Sequence, residues 1–197
     1  MKLWESVLIQ TMTKTNEINK RPILKVSKTD AAKRQLETAI RLWFFSGEPV
    51  SIHTLASAAL QILHDLGNKR GVPTILHDSS NIRPEYVKKF HELVSRYENF
   101  FKHADKDPDG LLEFNPEGTE VYMLDAVLTY ERLTQEAVSI FTIYKTWTFI
   151  QKPELMLEEP REKMISMLKS QGLYPLGIPK SEFFTHFQSN LLKQGIQ

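Results

Sequence analysis

The sequence predicts an all-α protein, an antiparallel helical bundle with extra helices at its C-terminal end. Apolar residues recur at spacings of three and four residues in successive segments, which is the pattern of helices with one buried face. Glycine or proline follows most of these segments, where a helix is expected to end. The 197 residues, 41% of them hydrophobic, are enough to bury a core of this kind.

Composition narrows the functions that the chain can carry. Its net charge of +1 argues against a broad nucleic-acid-binding face, although a local basic patch stays open. The chain has no cysteine, which excludes thiol catalysis, thiolate zinc sites and disulfides. Glu5 interrupts the N-terminal apolar run, and no apolar run of about 18 residues follows. We therefore expect a cytoplasmic bacterial protein with no signal peptide and no membrane partner.

The chain is expected to divide into a main helical bundle and a C-terminal extension. The bundle is assigned to residues 1–152, of which residues 1–26 form an N-terminal arm with a polar linker. Residues 153–197 are expected to form a helical extension that packs on the bundle or on a dimer mate.

The first two helices are predicted to be antiparallel neighbours, because the connection between them is very short. Residues 29–46 carry one apolar face, with Ser27 or Thr29 as the N-cap and Gly47 as a left-handed C-cap. Residues 50–66 are apolar over more than half of the helix circumference and rich in alanine. The second helix is therefore expected to be the most buried one.

The third helix is predicted from Pro84 to His103, after a long connection. Gly67 is expected to end the second helix, and residues 67–83 then form a loop of a length typical of mobile or functional segments. The stretch 84–110 contains an apolar stripe, aromatic side chains, a histidine and three closely spaced aspartates. We expect the other helices to bury one face of this stretch.

Four further helices are predicted from the same periodicity. Residues 135–151 contain β-branched side chains that would also suit a strand, but a length of about 16 residues favours a helix. Glu158, Glu159 and Pro160 form a favourable helix start, and Ser181 can cap the last helix. The predicted ranges are 117–133, 135–151, 158–171 and 181–194.

The main candidate site lies near the C-terminal end of the third helix. Arg96, Asn99 and His103 are three and four residues apart, so they lie along one side of a helix. A neutral histidine can take the proton from a ribose 2′-hydroxyl, and an arginine can stabilise the charge that develops on the phosphorane. These three residues are the candidate catalytic set.

The same residues resemble the motif of the HEPN family, whose members are small helical bundles with an arginine followed by a histidine near a helix end. Six residues separate Arg96 from His103, and Tyr97 stands where the family has a polar residue. The resemblance covers the first four helices as a pattern, and it implies a homodimer whose cleft holds the pair and cuts RNA. The stretches SKTDAAKRQLETAI and FFKHADKD also resemble a bacterial all-helical family of uncharacterised activity.

A structural interpretation of the same residues stays open. Arg96 can be a solvated helix charge, and His103 can interact with the helix C-terminus, packed behind Phe100 and Phe101. The chain would then be a non-enzymatic interaction or scaffold protein with a protein partner. Catalysis requires Arg96, Asn99 and His103 to be exposed in one cleft, whereas the interaction hypothesis requires an exposed apolar patch elsewhere.

Asp105, Asp107 and Asp109 are weaker candidates for a metal site. With Gly110 they match the first half of a calcium-binding loop, in which carboxylates occupy positions one, three and five. Position twelve should be a bidentate glutamate but is Pro116. We therefore expect a solvated turn here, and we expect no cofactor for the protein.

Two histidines of the second helix are further candidates for metal binding. His53 and His64 share a helix face but lie about 16 Å apart, so they cannot bind one metal ion together. Either could join His103 or an aspartate near the third helix, although a lone histidine on an apolar helix is more often a core residue. Two functions therefore stay open: a HEPN-like protein that acts on or binds RNA or a nucleotide, and a non-enzymatic interaction protein.

Overall fold

The computed structural model describes residues 23–78, 83–105, 107–170, 172 and 177–193. In these ranges the chain forms α-helices, two short 3-10 helices and no strand, which confirms the predicted all-α class. None of the described helices is both long and apolar enough to cross a membrane. Residues 1–22 of the predicted N-terminal arm lie outside the described residues. The helices are α1 (Lys28–Phe44), α2 (Pro49–Arg70), α3 (Pro84–Lys102), α4 (Thr119–Thr134), α5 (Ser139–Gln151), α6 (Glu158–Ser170) and α7 (Lys180–Lys193), with 3-10 turns at Pro116–Gly118 and Pro153–Leu155.

Helices α1 and α2 begin with side-chain caps that satisfy free N–H groups of the first turn. The Ser27 hydroxyl accepts a hydrogen bond from Asp30 N at 3.0 Å, and the Asp30 carboxylate accepts one from Ser27 N at 3.1 Å. At α2, the Glu48 carboxylate accepts hydrogen bonds from Val50 N and Ser51 N at 3.0 and 2.6 Å. Hydrogen bonds from the Ser27 hydroxyl and Ser27 N lower the pKa of Asp30, and those from Val50 N and Ser51 N lower the pKa of Glu48. Ser27 is thus the N-cap, as one of the two predicted choices.

Two glycines have other roles than predicted. Ser46, not Gly47, adopts the left-handed conformation after α1, with φ of 54°. Helix α2 continues through Gly67 and is followed by Gly71 as the left-handed cap, with φ of 71°. A glycine is required at position 67 because an added Cβ would lie 2.0 Å from the Val72 carbonyl oxygen. Gly67 is therefore explained by the close approach of the Val72 backbone and not by a helix end.

Helix α2 is the centre of the bundle, since α1, α3 and α4 all pack against it. Its residues Ala56 and Ala59 are fully buried and let neighbouring helices approach closely. It is nevertheless not the most buried helix, because eight of its 22 residues are buried, against eight of 16 in α4 and seven of 13 in α5. The last turn of α2 extends beyond the bundle, where Asn68, Lys69 and Arg70 are exposed.

Aromatic rings join α7 to the other helices. The ring of Phe184 on α7 is buried and lies 4.9 Å from the ring of Phe44 on α1, measured between centroids. Phe183 lies 5.1 Å from Trp147 on α5. The buried residues of α7 therefore belong to the same hydrophobic core as those of α1, α2, α4 and α5.

Helix α3 lies on the outside of the bundle. None of its residues is buried, although its apolar residues have helical spacing. Tyr86 and Leu93 are 56% and 58% exposed. The other helices therefore cover one face of the stretch 84–110 only in part, since Val94, Tyr97 and Phe101 are half-buried. Periodicity predicts that a helix has an apolar face, but it does not predict how much of that face a neighbour covers.

Candidate functional site

A groove of about 600 Å³ opens at the C-terminal end of α3, and we call it the α3 groove. One wall comes from the last turns of α3, and the other comes from the turn-rich segment that follows the helix. The volume lies within the range of pockets that hold small ligands. The described residues that line the groove are Arg96, Asn99, Phe100, His103, Asp105, Asp107, Leu111 and Leu112.

Arg96, Asn99 and His103 line this groove together. His103 is the first residue after α3, and its N–H donates a hydrogen bond to the Asn99 carbonyl at 3.1 Å. This bond keeps His103 one turn beyond Asn99, so both side chains stay on the side of α3 that carries Arg96. All three residues are exposed. The interpretation of His103 as packed behind Phe100 and Phe101 is therefore wrong.

The predicted calcium-like turn lies partly in the same groove. Asp105 and Asp107 line it, whereas Asp109 does not. The Asp107 carbonyl accepts a hydrogen bond from Gly110 N at 2.9 Å, which closes a tight turn. Within the described part of the chain, no group of three or more His, Cys, Asp or Glu side chains could hold a metal ion. The two aspartates instead add negative charge to a groove that also contains Arg96.

The inner side of α3 packs on a buried histidine. His53 of α2 is fully buried, and the ring centroids of Tyr97 and Phe101 lie 5.7 and 5.8 Å from its own. Its Nδ1 lies 3.0 Å from the Thr119 hydroxyl oxygen, and its Nε2 has no hydrogen-bond partner among the described atoms. Burial lowers the pKa of His53 to about 4, so the imidazole is neutral near pH 7. His53 is a core residue and does not reach the groove.

Polar contacts hold α3 in place beside this aromatic packing. The Tyr122 hydroxyl of α4 donates a hydrogen bond to the Val94 carbonyl of α3. Burial raises the pKa of Tyr122 to about 12, which keeps the hydroxyl protonated and able to donate. Glu98 and Lys102, one turn apart on α3, form an ion pair next to the groove. The helix that carries the candidate residues is therefore fixed from its inner side.

A second group of histidines fastens the segment 71–78 to α2. The Nδ1 atoms of His64 and His77 lie 3.0 and 3.3 Å from the Thr74 hydroxyl oxygen, and the two rings stack with centroids 4.2 Å apart. Asn68 Nδ2 lies 2.9 Å from His64 Nε2. An amide nitrogen only donates, so His64 Nδ1 carries the proton towards Thr74, and the hydroxyl donates to His77. Burial lowers the pKa of His77, and the nearby His64 lowers it further. A neutral His77 can therefore accept the hydrogen bond from Thr74.

Asp125 is a buried polar residue that the sequence analysis did not identify. It is 2% exposed, and its carboxylate accepts hydrogen bonds from Ile75 N and Leu76 N at 2.9 and 2.8 Å. The Thr129 hydroxyl donates to the same carboxylate at 3.1 Å. A single aspartate within the apolar run VYMLDAVLTY was the available signal, because a buried carboxylate requires hydrogen-bond donors. Its partners make it a structural anchor for the segment before α3.

Comparison with known proteins identifies no relative of this chain. No protein-family model matches it, no curated protein matches it, and no solved structure matches it. The functional interpretation therefore depends on the residues and the geometry of the α3 groove.

Proposed function

We propose that the α3 groove binds single-stranded RNA or a nucleotide and that the protein cleaves RNA as a HEPN-like ribonuclease. The observation that supports this function is the exposure of Arg96, Asn99 and His103 in one groove of about 600 Å³. The groove then contains a base, His103, and a cation for phosphate, Arg96. It also contains Asn99, whose amide both donates and accepts hydrogen bonds. Phe100 adds an aromatic face on which a nucleobase can stack.

His103 acts as the general base in this proposal. It takes the proton from a ribose 2′-hydroxyl, whose oxygen then attacks the adjacent phosphorus atom. The bond from phosphorus to the 5′ oxygen breaks, and that oxygen takes a proton from water, which leaves a 2′,3′-cyclic phosphate and a 5′-hydroxyl. Arg96 binds the non-bridging phosphate oxygens, where negative charge increases in the transition state. Asn99 orients the ribose or the base by hydrogen bonds.

The aspartates of the groove restrict the substrates that it accepts. Asp105 and Asp107 repel phosphate groups, so a duplex with many closely spaced phosphates is disfavoured. A short single-stranded segment can place one phosphate at Arg96 and present its base edges to the carboxylates, which accept hydrogen bonds from exocyclic amines. This substrate class also agrees with a net charge of only +1.

The proposed functional unit is a homodimer in which α3 packs against a second copy. Helix α3 has an apolar face but no buried residue, and Tyr86 and Leu93, two turns apart, are more than half exposed. Packing against another α3 would bury these side chains and bring two α3 grooves near each other. Analytical ultracentrifugation over a concentration series should show a dimer. A monomer at all concentrations would contradict this arrangement.

RNA cleavage by the His103→Ala variant tests the catalytic assignment. Removal of a general base lowers rates by roughly 10²–10⁴-fold, so a loss of at least about 100-fold is expected. The melting temperature should stay nearly unchanged, because His103 is exposed and its side chain is not needed for the bond to Asn99. His186→Ala is the matched control, since His186 is an exposed histidine on α7. If folded His103→Ala still cleaves RNA, and heat-unfolded protein does not, His103 is not the general base.

A non-enzymatic interaction protein is the second candidate function. It is favoured by exposed apolar side chains outside the α3 groove, such as Leu155, which is 53% exposed, and Leu157, which is 81% exposed. Surfaces of this kind serve protein partners more often than catalysis. A purified dimer that cleaves no single-stranded RNA would favour this alternative over the ribonuclease.

A further inference from the structure

A second cavity, of about 370 Å³, shares no lining residue with the α3 groove. It lies where the C-terminal end of α1 meets the N-terminal ends of α2 and α4 and the first residue of α7. We call it the Trp43 pocket, and the residues that matter for its chemistry are Trp43, Pro49, Ile52, Pro116, Glu120 and Lys180.

Trp43, Pro49 and Ile52 form the apolar part of the Trp43 pocket. The indole of Trp43 is fixed by edge-to-face contacts with Phe44 and Tyr144, at centroid distances of 5.0 and 5.4 Å. Pro49 and Ile52 continue this apolar surface. Because its ring is held by core residues, Trp43 gives the Lys180 ammonium above it a preformed position at little cost in conformational entropy.

Lys180 supplies a positive charge to the same pocket, where its ammonium makes a cation–π contact with Trp43. Its Nζ lies 4.3 Å from the centroid of the Trp43 ring. Among the described residues no carboxylate lies within ion-pair distance of Lys180, and the pocket residue Glu120 is already paired with Lys152 at 2.9 Å. Partial burial lowers the pKa of Lys180, and the nearby Glu120 carboxylate opposes this shift. A ligand with one negative charge would complete this site.

We infer that the Trp43 pocket binds a small aromatic monocarboxylate, with its carboxylate on Lys180 and its ring against Pro49 and Ile52, beside the contact between Lys180 and Trp43. Among the described residues that line the pocket, Lys180 is the one cation, and it matches a ligand with one negative charge. Glu117 and Glu120 also line the pocket and repel a second charge, which disfavours dicarboxylates and phosphates. The volume accommodates a ligand of one or two rings, and the apolar wall favours a flat apolar body over a sugar.

Binding at this position would connect α7 to the rest of the protein. Lys180 is the first residue of α7, whereas Trp43 and Ile52 belong to α1 and α2. A ligand held between them should slow amide hydrogen exchange in the first turns of α7, because opening of α7 would break the contact with Lys180. The inference does not rest on the proposed ribonuclease function, since none of its residues lines the α3 groove.

Calorimetric titration of the full chain with charged and neutral ligand pairs tests the inference. The probes are benzoate with benzamide, and indole-3-acetate with indole-3-acetamide. At least one of the acids should bind at a single site, and its amide should bind at least about tenfold more weakly. Lys180→Gln should weaken binding of that acid at least about tenfold. Lys163→Gln is the control, because Lys163 is a largely exposed lysine on α6, and it should bind as the wild type does.

Three results would overturn the inference. The first is that neither acid binds at millimolar concentration. The second is that the wild type binds an acid and its amide with equal affinity. The third is that Lys180→Gln binds the acid as tightly as the wild type does. The acid–amide comparison uses the wild-type protein alone, so it decides the charge requirement even if Lys180→Gln folds poorly.

Discussion

Four aromatic rings, those of Tyr97, Phe101, Phe114 and Tyr122, surround the imidazole of His53 at centroid distances between 4.8 and 5.8 Å. Such surroundings disfavour an imidazolium, because they do not replace its hydration shell. The Thr119 hydroxyl is the one hydrogen-bond partner of the ring among the described residues. His53 therefore stays neutral in the folded protein at pH values where an unfolded chain would protonate it.

The stability of the fold should consequently fall on mild acidification. The pKa of His53 is about 4 in the folded state and near 6.5 when exposed. Above pH 6.5 both states are neutral, and between pH 6.5 and 4 only the unfolded state takes up the proton, which lowers the free energy of unfolding as pH falls. At pH 5 the loss from His53 should be about 2 kcal/mol.

Urea unfolding at pH 7.5 and pH 5 measures this effect. His53→Leu should remove about 2 kcal/mol of the difference between the two pH values, whereas His186→Leu, at an exposed position, should leave the difference as in wild type. An unchanged pH dependence in His53→Leu would show that His53 is accessible to protons in the folded state.

Residues of one helix could be predicted as neighbours, but residues of different helices could not. Arg96 and Asn99 line one groove because the helical period brings them to one side of α3, and the hydrogen bond from His103 N to the Asn99 carbonyl keeps the next residue beside them. The contact between His53 and Thr119 joins residues 66 positions apart and depends on how α2 packs against α4. No periodicity of a single segment contains that information.

Among the helices, the existence of each one was predictable, whereas several ends were not. Helix α5 was predicted from residue 135 but begins at Ser139. Gln135 adopts a left-handed conformation with φ of 58°, and the Glu136 carboxylate accepts hydrogen bonds from Lys33 and Tyr130. These contacts with α1 and α4 keep residues 135 and 136 out of α5, although local helix propensity alone would include them.

Helix α2 gives a second example, in which a glycine lies inside a helix because the backbone of the following turn folds back onto it. Gly67→Ala should destabilise the protein by about 2 kcal/mol, although alanine normally favours a helix interior by about 1 kcal/mol over glycine. The reason is that the new Cβ would lie 2.0 Å from the Val72 carbonyl oxygen, so the turn after α2 must move.

Thermal or urea unfolding of the Gly67→Ala variant measures this cost. Gly118→Ala is the matched control, since an added Cβ there meets no atom within 4 Å and the residue has helical φ and ψ. Its stability should change by less than about 1 kcal/mol. A Gly67→Ala variant as stable as wild type would mean that residue 72 is free to shift.

For the whole molecule, the all-α class was predictable, because it depends only on the period of the apolar residues in each segment. The relation of the C-terminal residues to the bundle was not, since residues 153–197 were left open to pack on the bundle or on a dimer mate. Phe184 resolves part of this question, as its ring contacts Phe44 and Phe45 of the same chain at 4.9 and 5.4 Å. The contacts between these aromatic rings depend on how helices far apart in the sequence pack together, which no single segment of the sequence reveals.

The contact of Phe184 with the bundle predicts that α7 unfolds together with α1 to α5. Phe184→Ala removes a buried ring from a core shared by α1, α5 and α7, so the free energy of unfolding should fall by about 3 kcal/mol. Thr185→Ala, at an exposed neighbouring position on α7, should change it by less than about 0.5 kcal/mol.

Urea unfolding followed by far-UV circular dichroism and by tryptophan fluorescence distinguishes shared from separate unfolding. Trp147 contacts Phe183 on α7, and Trp43 contacts Phe44 of the core, so the fluorescence of these two residues, measured in a Trp4→Phe background, reports on the junction while circular dichroism reports on all helices. In Phe184→Ala the two transitions should coincide and shift together to lower urea, because one core supports all of these helices. A new fluorescence transition at low urea, with most of the helical signal retained, would mean that α7 is a separate folding unit attached to an independently stable bundle.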